Sequence, residues 1–206
     1  MILSDNIKKL IMSQELLSKL STNHIDDLSS SRNEPDWLKD YRKNSLSIYD
    51  DMPIETSPLY NKYTDAKKMS PSKVSLSTST TQTIPKFLEK RLGELENEIC
   101  IIQIGTNIYK INLPDDLKSK GLVISSISDA IKNDSELVKK SLEASNSKED
   151  KFTALNNAAF NSGIFIHIPR NLVVEKPIHF MICLSDDGHS TISRNIIFAD
   201  ESSKAT

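Results

Sequence analysis

The sequence predicts an α+β chain in which helices come first, a small mixed region follows, and strands run to the end. Three observations carry this. Apolar residues recur at helical spacing twice in the first fifty positions. Two β-type runs flank a short Gly-containing loop between 99 and 113. After Gly163 the apolar runs shorten to a few residues, with Pro, Arg, Asn, Glu and Lys at the corners between them.

In the first region, Ile7, Leu10, Ile11, Gln14 and Leu17 predict a helix over 4–20, with Ser4 as cap and Asp5 near its positive end. A second helix is expected over 34–50. Asn33 would cap it, Asp36 would reach back, and Pro35 fits the first turn. Trp37, Leu38, Tyr41, Ser45 and Ile48 would form its apolar stripe, and Pro53 lies past its end. Such a stripe usually packs inside the molecule, although it also suits a partner-binding face. From Ile54 to Thr83 no period holds. "SPSKVSLSTSTTQT" carries nine Ser or Thr in fourteen residues and reads as a linker or an edge strand.

The middle region opens with a short helix over Pro85–Leu92 closed by Gly93. Strands Ile99–Ile104 and Ile108–Leu113 follow, joined by Gly105, Thr106 and Asn107 as a hairpin loop. "GLVIS" is a further strand. "SSISDAIKND" and "SELVKKSLEA" are two short helices, with Ser126 or Ser128 and Ser135 as caps.

Lys151–Asn161 is the last expected helix, with Phe152, Leu155, Ala159 and Phe160 on one side and Gly163 at its end. Strands are then expected at Ile164–Ile168, Leu172–Val174, Ile178–Leu184 and Ile192–Ala199. Their corners, "PRN" and "EKP", hold Pro169 and Pro177 and no Asn-Gly or Asp-Gly pair. Proline fixes φ and withdraws a donor, which suits a bend better than a central strand position. Short strands joined by bends build a parallel β-solenoid, with Ile164, Ile166 and Ile168 inside and Phe165 and His167 outside. A β-sandwich fits the periodicity equally well. The three regions are bounded at 1–70, 71–150 and 151–206.

Hydrophobic residues make up 37% of 206, and the net charge is −2. Charges are evenly mixed, so there is no basic field for nucleic acid or anionic lipid. No apolar run approaches a membrane span, and a soluble cytoplasmic protein is the default expectation. Phosphate-loop and nucleophile-elbow motifs are absent, so an ATPase or hydrolase has no sequence support. Cys100 and Cys183 sit inside apolar runs and read as buried inert thiols rather than persulfide or iron ligands. His167 and His179 would meet only if coils stack; local hydrogen bonding is the plainer reading. Asp186, Asp187, His189 and Arg194 gather in "SDDGHSTISR", where paired carboxylates could serve a carbohydrate enzyme, but Asp-Asp-Gly is also an ordinary turn. No residue is therefore assigned as catalytic, cofactor-binding or metal-binding.

"EDKFTALNNAAFNSGIFIHIPRNLVVEKPIHF" closely resembles the stretch of SufB and SufD proteins where a helical N-terminal part enters a β-helix. "RNEPDWLKDYRKNSLSIYDDMP" resembles that family's N-terminal helix motif, with Glu34, Pro35, Trp37, Arg42, Met52 and Pro53 in place. "SPLYNKYTD" and "NIIFADESSKAT" fit as well; residues 70–120 match loosely. The resemblance implies a right-handed parallel β-helix beginning within 151–206 and truncated at Thr206, since family members are usually far longer. It implies a non-catalytic scaffold subunit of SUF iron–sulfur cluster assembly, SufD-like or SufB-like, with a SufC-type ABC ATPase and a SufB/SufD paralogue as partners. Most of the docking surface and the cluster-handling residues would lie beyond this segment, so no cofactor is expected on it. A parallel β-helix carbohydrate-active enzyme is the alternative.

Overall fold

The computed structural model describes residues 20–53, 75–76, 84, 86–184 and 189–206. The helix expected over 4–20, nearly all of the stretch 54–83, Pro85, Asp186 and Asp187 lie outside the described residues. The described chain is α+β and forms two compact units that interleave in sequence: Met1–Ser75 with Glu143–Phe160, and Leu76–Leu142 with Asn161–Thr206.

In the first unit, α1 (Thr22–Ser31) precedes α2 (Asp36–Asp51). The sequence reading missed α1, and this changes the role of Asn33. It does not cap α2. Its φ of 52° places it in the left-handed region, where Asn is tolerated, and it closes α1. The Asn33 amide donates to Ser30 O (3.2 Å) and the Glu34 amide to Ser29 O (3.0 Å), the paired bonds of a Schellman end. The expected capping box is therefore absent. Pro35, at φ −67°, begins α2 with no side-chain cap.

The buried face of α2 is Leu38, Arg42, Ser45, Leu46 and Tyr49. Leu38 and Ser45 were expected there; Trp37, Tyr41 and Ile48 are only half-buried. Helix α7 (Lys151–Ala159) packs against α2. Its buried face is Lys151, Ala154, Asn157, Ala158 and Ala159, while Phe152 is 43% exposed. Of the expected side, Ala159 and Phe160 are fully buried, while Phe152 and Leu155 are not. Small alanines allow close helix approach, and the Lys151 ammonium is held by backbone acceptors, as described below.

The second unit contains α3 (Lys86–Glu94), β2 (Ile99–Ile104), β3 (Asn107–Asn112), α4 (Asp115–Ser119), β4 (Val123–Ser126), α5 (Ile127–Asn133) and α6 (Ser135–Glu143). It continues with β5 (Ile164–Ile168), β6 (Ile178–Cys183), β7 (His189–Ser190) and β8 (Ile196–Ala199). The two-residue strand β1 is Ser75–Leu76. Helix α3 runs through Gly93 instead of stopping there, and α4, which starts after Pro114, was not anticipated. Ser126 caps α5: its Oγ accepts from the Asp129 amide at 3.0 Å.

Two three-stranded sheets enclose the main core. One has the order β3-β2-β6, with β2 antiparallel to β3 and parallel to β6. The other has the order β4-β5-β8, with β5 antiparallel to β4 and parallel to β8. Ile99 and Ile101 of β2, Ile124 of β4, Ile164, Ile166 and Ile168 of β5, and Leu172 and Val174 share the core between them. Phe165 points to the other face of β5 yet is also fully buried. Consecutive strands β5 and β6 do not pair, so "PRN" and "EKP" are bends and not hairpin reversals. The expected strand Leu172–Val174 is reduced to a single parallel bridge, Val173 with Lys204.

Parallel pairing within residues 162–204 keeps one offset. Phe165 faces Ile196, Ile166 Ile197, His167 Phe198 and Ile168 Ala199, each 31 positions apart. The bridges Ser162 with Ser193 and Val173 with Lys204 share that offset. Side chains reinforce it: Asn161 Oδ1 accepts from the Ile192 amide (2.8 Å), and Asn195 Oδ1 from the Ile164 amide (3.2 Å). Gly163, at φ +143°, makes the approach possible, because a Cβ there would sit 1.9 Å from the Arg194 carbonyl oxygen.

Candidate functional site

The most heavily used polar residues of the first unit form a buried knot. Arg42 and Glu34 are almost wholly buried, with side-chain exposures of 0% and 4%. Arg42 Nε donates to Glu34 Oε2 and Nη2 to Oε1, both at 2.8 Å, a two-pronged match of guanidinium to carboxylate. Ser29 Oγ donates to Glu34 Oε2 at 3.0 Å. Arg42 Nη1 donates to the Ala158 carbonyl at 3.1 Å, and its guanidinium lies 3.8 Å from the Phe160 ring centroid. One residue pair thus ties α1, α2 and the end of α7. Lys151 Nζ makes a second tie, donating to Tyr49 O (2.7 Å) and Met52 O (2.6 Å) at the C-terminus of α2. Every charge here faces a protein partner, so the knot positions helices.

The two thiols lie in one apolar cluster, beneath Leu88 and Leu95. Ile104 faces Cys183 in the β2–β6 register, which puts Cys100 and Cys183 four positions apart along the sheet, roughly 13 Å. Both are free, and burial pushes both thiols up from their ordinary value. Two protonated thiols this far apart do not form a cluster-binding set. Among the described residues no three His, Cys, Asp or Glu side chains converge as a metal site.

His167 and His179 fall in different sheets and do not stack. His167 Nε2 donates to Asp200 Oδ2 at 2.9 Å, a bond from β5 to the residue just after β8, and its ring packs edge-on against Phe198. The sequence could not show this pairing, since Asp200 stands 33 positions away. His179 stands opposite Cys100. Of the "SDDGHSTISR" group, Asp186 and Asp187 are outside the described residues, His189 belongs to β7, and the Arg194 amide donates to Ser162 O at 2.9 Å.

Residues 31–180 match the family described as the SufBD protein N-terminal region. The chain belongs to the SufBD family. The SufBD match begins at the end of α1, takes in the whole Glu34–Arg42–Lys151 knot and closes within β6. The chain is 28% identical over 204 residues to the iron–sulfur cluster assembly protein SufD of Bacillus subtilis strain 168, covering 96% of this chain and 45% of the relative. It is 26% identical over 194 residues to the iron–sulfur cluster assembly SufBD family protein of Staphylococcus aureus strain USA300, covering 88% and 42%. The chain thus spans less than half the length of these curated relatives. Both relatives are named for iron–sulfur cluster assembly. Among the described residues no helix is long and apolar enough to cross a membrane.

Proposed function

We propose that this SufBD chain is the N-terminal part of a non-catalytic, SufD-like scaffold subunit of the SUF machinery, with SufB-like identity as the second form of the same reading. Its cargo is an iron–sulfur cluster, held elsewhere in the assembly and not on the described residues. ATP hydrolysis belongs to a SufC-type ABC ATPase partner, a SufB/SufD paralogue completes the complex, and the work takes place in the cytoplasm. The β region from Ile164 onward is the start of a right-handed parallel β-helix.

The observation that carries this reading is the constant 31-residue offset of the β5–β8 pairing and its flanking bridges, inside a chain of this family. Coils stacked in register give a rigid, extensible support. The buried charges of the chain act in the same sense, because they fix helices instead of lining a cleft. A β-helix carbohydrate enzyme gains no support from the relatives named above.

Affinity purification of the tagged protein from its host tests the proposal. Co-purification of an ABC-type ATPase and a SufB/SufD paralogue is the expected result. Glycan turnover with neither partner present would favour the alternative.

A further inference from the structure

We propose that Cys100, His179 and Met181 form a site for a single soft monovalent cation, Cu(I), at the edge of the β3-β2-β6 sheet. Cys100 of β2 and His179 of β6 are register partners on adjacent parallel strands, about 5 Å apart at the backbone. Alternation along β6 puts His179, Met181 and Cys183 on one face. That is the face of Cys100, because Cys183 shares its apolar cluster and Met181 packs against it. A thiol, an imidazole and a thioether therefore lie on one face at one corner of a sheet. Met181 is long and flexible enough to bring its sulfur towards the Cys100–His179 pair across about 7–8 Å of diagonal.

These three donors are a soft set, suited to Cu(I) and poorly suited to Mg²⁺ or Ca²⁺. The surroundings favour such an ion over a hydrated one. Leu88 and Leu95 cover Cys100, which is fully buried, while His179 and Met181 are half-exposed at the rim. β6 is an outer strand of its sheet, and the half-exposed His179 and Met181 give access from solvent. Within the described residues the His179 ring makes no hydrogen bond, unlike His167 with Asp200. Binding is a proton exchange: Cu(I) takes the thiol sulfur of Cys100 as thiolate, one proton leaves to solvent, and the copper stays monovalent. Cys183 lies too far along β6 to join the same ion.

Anaerobic titration with Cu(I), in competition with the chelator bicinchoninate, tests the site in the full chain. One equivalent of Cu(I) retained against the chelator is expected, with ultraviolet absorption from the copper–thiolate bond. Cys100→Ser should abolish retention, His179→Gln and Met181→Leu should each weaken it by roughly tenfold or more, and Cys183→Ser should leave it unchanged. Retention that ignores both His179→Gln and Met181→Leu overturns the proposal, as does equal loss in Cys183→Ser. If Cys100→Ser does not fold, His179→Gln decides alone, since its half-exposed ring has no hydrogen bond to lose among the described residues.

Discussion

Asp150 puts three bonds on one carboxylate. As the N-cap of α7 it accepts from the amides of Phe152 (2.7 Å) and Thr153 (2.9 Å) through Oδ1, and from Thr153 Oγ1 (2.7 Å) through Oδ2. Burial works to raise its pKa, but these bonds from Thr153 and Phe152 together outweigh it, and the group sits below its ordinary value of 3.8. A depressed carboxylate contributes stability that is fully present above its unfolded pKa and is lost as pH falls through its folded one. Asp150→Ala should therefore cost about 1 kcal/mol at neutral pH. The gap between variant and wild type should close as pH drops below 3.8, because only the wild type has the charged cap to lose. Paired thermal melts across that range measure it; a gap that stays constant into acid would mean the charge contributes nothing. Caps of this sort are partly legible in a sequence. Ser126 was readable because a helical period begins right after it. Asn33 was misread because the residue types that open one helix also close another, and α1 carries too few apolar residues to announce the helix being closed.

The buried face of α2 shows what an apolar stripe can hide. The sequence period selected Trp37, Tyr41 and Ile48, yet the helix turns Arg42 and Tyr49 inward beside Leu38. An arginine reads as surface until its carboxylate is identified, and Glu34 lies outside the helix, beyond the reach of any period. Resemblance had marked both residues without giving the reason, which is the two-pronged ion pair under Ser29, Ala158 and Phe160. Removing one partner of a buried pair leaves the other charge desolvated, at a cost of about 3–5 kcal/mol. Arg42→Met should lower the stability of the helical unit by that order. Arg42→Met combined with Glu34→Gln should recover part of the loss, because the orphaned carboxylate is then gone. Trp37, the chain's one tryptophan, sits on α2 and reports urea unfolding by fluorescence. A double variant no more stable than the single one would place the cost in lost packing against Phe160 instead of the stranded charge.

At the scale of the whole chain, the order of elements was legible and the pairing was not. Alternation and turn residues located β2, β3, β5 and β6 to within about a residue. Nothing local shows that β5 skips β6 to lie against β4 and β8, since its partners stand 38–44 positions away in β4 and 31 away in β8, the latter resting on Gly163 fitting under Arg194. The same pairing leaves β6 and β8 among the outer strands. No described strand covers the far edge of β8 or β6, and Ile197 (66% exposed), Ile182 and Leu184 are exposed on these two strands or at their ends. Bare edges with apolar side chains favour association through strand addition. The protein should accordingly self-associate as its concentration rises, and Ile197→Lys should suppress this by placing a charge on the edge of β8. Phe152 supplies the control. It is also an exposed apolar side chain, but it lies on the helix α7 of the first unit and on no strand edge, so Phe152→Lys should leave association as it was. Light scattering at matched concentrations separates the cases. Equal suppression by both substitutions would point to general apolar exposure, and no suppression by Ile197→Lys would mean that the β8 edge is not where the molecules meet.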